Sequence, residues 1–146
     1  MKAINHFVVL VFLLTSICSL ESCSSSEPLE ESEEQIFVKK MEGTWKTAVV
    51  TYDGVDVTKS FPGLTLSILD KSIRVENPMP PIWKSTSSFT LNPVGNTFEA
   101  ERNDGLLMNV TFQSPQKMVL SFSYDASLLT GRVGGVVGSF SFEFLK

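Results

Sequence analysis

The stretch Phe140-Ser141-Phe142-Glu143-Phe144-Leu145 puts an aromatic ring at every second position. A period of two belongs to a strand with one face buried, because successive side chains point to opposite sides of the pleat. Met118, Leu120, Phe122 and Tyr124 alternate in the same way with Val119, Ser121 and Ser123. Working back toward the N-terminus, Leu106, Met108, Val110 and Phe112 oppose Leu107, Asn109 and Thr111, and Phe98, Ala100 and Arg102 oppose Glu99 and Glu101. Ser87, Phe89 and Leu91 form a further ribbon, as do Ile73 and Val75, and Leu64, Leu66 and Ile68. The first ribbon is expected to set Trp45, Thr47, Val49 and Thr51 on one face against Lys46, Ala48, Val50 and Tyr52.

Turn chemistry separates these eight runs. Asp53-Gly54, Asp70-Lys71, Asn103-Asp104-Gly105 and Ser114-Pro115 fall between them, and Asn92-Pro93-Val94-Gly95-Asn96 is expected to close the fourth. Asn77-Pro78-Met79-Pro80-Pro81 ends the third, since proline has no N–H to give a ladder. No helix-period segment of useful length follows Met41, and Asp56 to Phe61 offers a single turn at most. Eight short strands with one apolar face each form a meander, and a meander of this length removes its unpaired edges by closing. The expected fold is all-β: an eight-stranded antiparallel up-and-down barrel, with an open sandwich as the structural alternative. The off-face Lys, Glu, Ser and Thr residues would be rejected by lipid, so the barrel is not a membrane-spanning one.

The chain has 146 residues, 42% hydrophobic and 19% charged, enough for one ordinary domain. Its net charge of −4 gives no basic surface for nucleic acid. The single histidine, His6, and both cysteines, Cys18 and Cys23, lie within the first 23 positions. Once a leader is removed, the domain keeps no imidazole with which to build a Ser-His-Asp, Cys-His or His-based zinc site. No catalytic constellation, metal or cofactor is expected, and the chain is read as a non-enzyme.

That leader is visible. Lys2 precedes the apolar run Phe7 to Leu14, and eight helical residues rise only about 12 Å, against a hydrocarbon core of roughly 30 Å. The run therefore reads as the core of a secretory signal peptide, residues 1–22. Five acids between Glu27 and Glu34, with Pro28 and several serines, mark residues 23–40 as a solvated tether; Gln35 to Met41 offers one or two helical turns into the domain. Residues 41–146 form the barrel domain, which carries ten acids and nine Lys or Arg and is nearly neutral.

Leu20-Glu21-Ser22-Cys23 followed by Ser24-Ser25-Ser26 resembles a bacterial lipobox. The resemblance implies that Cys23 becomes the mature N-terminus, with diacylglycerol on its sulfur and an acyl chain such as palmitate on its amine. Two or more chains hold a protein firmly on a bilayer. Cys18, preceded by Ile17 with Thr15 at the leucine position, fits less well. The implied place is the cell envelope, at the outer membrane on its periplasmic or surface face.

Gly43-Thr44-Trp45 is similar to the Gly-x-Trp motif that opens lipocalin-like barrels. Tyr52 to Phe61, Gly63 to Leu66, the Arg102-Asn103-Asp104-Gly105 turn and Gly138 to Phe142 extend the resemblance to small lipocalin-like bacterial lipoproteins, over Met41 to Lys146. The resemblance implies that Trp45 plugs the closed end of the barrel. It also implies a basic residue across that plug, for which Arg132 and Arg102 are the candidates.

A barrel of eight strands has room for packed side chains or for one small ligand. The rings Trp83, Phe89, Phe98, Phe112, Phe122 and Tyr124 are the candidate lining for a small apolar ligand; with no ligand the same rings are simply core. Trp83, beside the proline run, either lines a mouth or caps the core, and a carbohydrate-binding role for it is the weakest reading. The alternative function is a filled barrel that serves as an interaction module in an envelope complex. A cavity above about 300 Å³ would point to the ligand. A packed interior with an exposed apolar patch at Ser127 to Gly138, rich in glycine and valine, would point to the partner. Glu99 with Glu101, near Glu143, reads as a solvated exterior face; Asp53 and Asp56 with backbone carbonyls could hold calcium only weakly, since no recognised calcium loop is present.

Overall fold

The computed structural model describes residues 30–125 and 137–146. The leader, Cys18, Cys23, Arg132 and most of the glycine-rich segment, Ser127 to Val136, lie outside the described residues.

Helix α1 (Glu33–Met41) is followed by β1 (Gly43–Tyr52), β2 (Val55–Asp56), a 3-10 turn (Thr58–Ser60), β3 (Thr65–Leu69) and β4 (Ser72–Glu76). Then come β5 (Thr86–Val94), β6 (Thr97–Arg102), β7 (Leu107–Ser114), β8 (Lys117–Tyr124) and β9 (Gly138–Leu145). The long strands pair antiparallel with their neighbours in sequence, and β9 returns to β1, from Lys46 opposite Leu145 to Tyr52 opposite Phe140. That last ladder closes an eight-stranded up-and-down barrel. The two-residue β2 is a spur on β1 made by a tight turn, in which Asp53 (φ 47°) and Gly54 (φ 80°) both have left-handed backbone. Two consecutive positive φ angles give the hairpin twist that matches the strands.

Because hairpins alternate ends, the barrel has two distinct rims. The first carries α1, the turns at 70–71, 95–96 and 115–116, and Lys146. The second carries Asp53-Gly54, the 3-10 turn, segment 77–85 and the turn at 103–105.

The inward set follows the expected alternation on β3 to β9, with one correction on β1. The register against β9 slips between Thr47 and Val49. The extra residue, Ala48, makes a bulge, so Val50 and not Val49 is fully buried together with Trp45. The bulge sits where β1 passes from β3 (Gly43 opposite Ile68) to β9, and the added twist bends the strand round the closing corner. A second correction concerns β5, which runs on through Pro93 to Val94. Phe89 donates its N–H to the Lys71 carbonyl on the β4 side (2.9 Å), whereas β4 pairs with β5 only up to Ser72 opposite Ser88. Pro93 projects toward the same unpartnered side and has no N–H to leave unmet there.

Helix α1 begins two residues before the turns expected over Gln35–Met41. Ser32 caps it: its hydroxyl accepts from the Gln35 N–H (3.2 Å) and the Gln35 side chain accepts from the Ser32 N–H (2.9 Å). This reciprocal pair satisfies two of the N–H groups a helix start leaves free. Glu33 and Glu34 in the first turn and Lys39 and Lys40 in the last complement the helix dipole.

The alternation makes a direct prediction. Phe142 is fully buried and touches the rings of Phe61, Trp83, Phe122, Phe140 and Phe144, whereas Leu145, three residues on, is 44% exposed. Phe142→Ala is expected to cost about 3–5 kcal/mol in urea unfolding. Leu145→Ala should stay within about 0.5 kcal/mol of the parent. Equal losses at the two positions would contradict the inward assignment.

Candidate functional site

The two ends of the barrel are closed by different chemistry. At the first, Trp45 on β1 is fully buried and its indole N–H donates to the Met41 carbonyl at the end of α1 (2.6 Å). The Lys146 ammonium lies 4.4 Å from the Trp45 ring centroid. Trp45 therefore sits where the plug was expected, and the cation across it is Lys146, just beyond β9, not Arg102. A cation held over an indole face is attracted by the ring's quadrupole. Phe37 of α1 completes this end by packing on Phe98 (centroids 5.2 Å) and Phe112 (5.6 Å). Phe98 and Phe112 are thus half-buried cap residues at the first end, apart from the other candidate lining residues.

At the second end the candidates do converge. Trp83 is fully buried and lies nearly perpendicular to the rings of Phe122, Phe142 and Phe144, at centroid distances of 5.8, 5.4 and 6.3 Å and angles of 83–87°. Edge-to-face contact is the favoured arrangement of aromatic quadrupoles. Phe89 and Tyr124 are also buried, Phe89 opposite Arg102 across the β5–β6 ladder.

Arg102 is the one buried charged residue among the described residues, only 1% exposed. Its Nε and Nη2 donate to the two carboxylate oxygens of Asp104 (2.8 and 2.9 Å), and Nη1 donates to the Ile82 carbonyl (2.7 Å). A guanidinium fork matched to a carboxylate is the geometry that offsets burial of the charge. Lys84 adds a second cation to Asp104 at 3.0 Å. This network pins segment 77–85: Ile82 and Lys84 are held from outside, and Trp83 between them is driven inward. The Arg102 guanidinium also lies 5.7 Å from the Trp83 ring centroid. Burial alone would raise the Asp104 carboxyl, but hydrogen bonds from Arg102 and Lys84 and their charges outweigh it and hold the group down at about 2. Burial pushes the Tyr124 phenol up, so it stays protonated and remains a donor.

Two of these groups lack hydrogen-bond partners: the indole N–H of Trp83 and the hydroxyl of Tyr124; Thr47 Oγ1, on β1, is a third such atom. A buried polar group without a partner costs on the order of 1–3 kcal/mol. Clefts of about 210–610 Å³ lie on the described surface, and none of them is lined by Trp83, Phe122, Tyr124 or Phe142.

The carboxylates hold backbone groups and neighbouring side chains. Asp53 accepts from the Ser139 N–H across the closing seam (2.8 Å) and Asp56 from the Thr58 N–H (2.8 Å). Glu101 accepts from Asn92 (3.0 Å), while Glu143 on β9 pairs with Lys117 (2.7 Å) on β8, three strands away from β6, which carries Glu99. Glu143 and Glu99 therefore do not meet. Among the described residues no three acidic, histidine or cysteine side chains come together.

Sequence reasoning missed the Arg102–Asp104 clamp, although both residues were in view. Arg102 stood on the apolar face of its strand, and Asp104 was read only as a turn former. It also missed Phe37; the signal was the Ser32-x-x-Gln35 spacing ahead of an apolar pair. Compared with protein-family models, curated proteins and solved structures, the chain has no match.

The clamp has a pH signature. A carboxyl held below its ordinary 3.8 stabilises the fold above the unfolded value and loses that contribution as pH falls toward about 2. Asp104→Asn is expected to lower stability at pH 7 by about 1 kcal/mol, after allowance for solvent screening. In denaturant titrations the gap should narrow between roughly pH 4 and pH 2. A gap that does not change over this range would contradict the pairing.

Proposed function

We propose that this chain is a lipid-anchored protein of the cell envelope, held at the outer membrane through Cys23, whose lipocalin-like barrel binds a small apolar ligand inside. The observation that carries the reading is the make-up of the second end. A wall of strand-borne rings, Phe122, Phe140, Phe142 and Phe144, stands beside two buried donors without partners, Trp83 Nε1 and Tyr124 Oη. An apolar body with a few convergent polar groups is how small-molecule sites are built.

The barrel architecture agrees with the lipocalin-like resemblance, and so do Trp45 at the closed end and Lys146 across it. The full burial of Trp83, Phe142 and Phe144 favours a second reading, an interaction module of an envelope complex. The two readings differ in what travels with the protein.

Native mass spectrometry of protein extracted from its source membranes is expected to show a bound apolar molecule of a few hundred daltons at most, the size an eight-stranded barrel admits. A bare polypeptide mass, with a second protein co-migrating, would favour the module. The anchor is tested separately by detergent phase partitioning. The parent should enter the detergent phase and Cys23→Ala should remain in the aqueous phase. Retention of the variant with membranes would overturn the lipidation assignment.

A further inference from the structure

Four aromatic side chains have no solvent exposure at all: Trp45, Trp83, Phe142 and Phe144. Three are carried by strands, and only Trp83 comes from a connecting segment, between β4 and β5. The wall it meets does not depend on it. Phe122, Phe142 and Phe144 lie nearly parallel, at 13° and 12°, because β8 and β9 hold them in register, with Leu120 opposite Phe142 and Met118 opposite Phe144. Removing the indole would leave a hollow of indole size beside these rings.

The polar ties of segment 77–85 are set at its ends and at two points between. Asn77 Nδ2 donates to the Gly63 carbonyl (2.9 Å), Arg102 holds the Ile82 carbonyl, Lys84 meets Asp104, Val75 N–H donates to the Ser85 carbonyl, and Trp83 N–H donates to the Met79 carbonyl within the segment. The Arg102–Asp104 pair belongs wholly to the β6–β7 turn and would survive a movement of the segment. The indole makes no hydrogen bond inside, and Tyr124 keeps an unmet donor nearby. Two cations, Arg102 and Lys84, stand against the single carboxylate of Asp104.

We propose that Trp83 occupies the ligand position of its own barrel. The second end is a binding site for a planar, apolar molecule of about indole size bearing a hydrogen-bond acceptor, and segment 77–85 withdraws the indole to admit it. This rests on the ligand-binding reading above and gives it a ligand class and a gate. Planarity follows from the flat indole whose place the molecule takes, and the acceptor from Tyr124 Oη and from Arg102 Nη1, which gives up the Ile82 carbonyl when the segment withdraws. Because the closed state fills the hollow with an attached side chain, apparent affinity is lowered by the fraction of time the segment is open.

The probe is 2-naphthoate, a flat bicycle with a carboxylate, titrated into the full folded domain. Trp83→Ala is expected to bind it about tenfold or more tightly than the parent, having no gate to open. Trp83→Leu, which keeps an apolar plug of smaller volume, should fall between them and serves if the alanine variant does not fold. In parent protein labelled with 5-fluorotryptophan, two ¹⁹F resonances report Trp45 and Trp83. Saturation should move the Trp83 resonance to its solvent-exposed position and leave Trp45 unmoved. Binding by the parent with Trp83 still buried overturns the gate and spares the ligand reading. Binding by the variants but not by the parent also overturns the gate, since the plug is then permanent. No binding by parent or folded variants at millimolar probe overturns both.

Discussion

The return of β9 to β1 is the pairing on which the other elements depend. Seven of the eight pairings between long strands join neighbours in sequence, but without the eighth, β9 to β1, two long edges rich in β-forming residues would remain open. Closing requires β1 to serve two partners, β3 near its start and β9 over most of its length. A flat strand cannot do this. The bulge at Ala48 supplies the bend, and with it the change of phase that hands the interior from Trp45 to Val50. One edge stays partly free, where β5 outruns β4, and there the chain has Pro93, which withholds a donor from any incoming strand.

Closure fixes an interior of limited volume, and the described strands line it with aromatic rings, aliphatics and one cation. Arg102 is informative because it is expensive to bury. Its three donating nitrogens are satisfied by Asp104 and the Ile82 carbonyl, so the charge is matched and the β4–β5 segment is tied to the β6–β7 turn in the same act. Replacing one partner would leave an uncompensated charge in the core, a larger loss than replacing both. The network therefore acts as a latch on the position of Trp83 as well as a contribution to stability.

Strand order and inward faces were legible from alternation because each long strand obeys a period of two and each hairpin carries its own turn residues. Three features were not legible, each for a physical reason. Ala48 has no signature, since a bulge is a response to closure and alanine fits either face. Trp83 lies in a segment with no period at all, where proline sets the path and only the Arg102 and Asp104 contacts decide which way the indole points. Lys146 is recruited across the barrel by proximity of β9's end to β1's start, a consequence of topology that no local pattern contains. Helix α1 was half legible: the acids before it read as spacer, while the Ser32–Gln35 capping pair marked where order begins.

The two tryptophans allow an internal comparison that bears on function. Trp45 is carried by a strand, has its N–H met by the Met41 carbonyl, and has a cation on its face. Every part of that side chain is accounted for, which is what a permanent closure requires. Trp83 is equally buried, but its support is a loop tied at a few points, its N–H has no acceptor, and the nearby Tyr124 hydroxyl shares that lack. Burial of the same ring type therefore carries an unmet polar cost at one end and not at the other. A closure that evolves only for stability would be expected to remove that cost, as the first end has done. Its persistence at the second end, beside a preformed aromatic wall, is the feature that separates a plug from a gate.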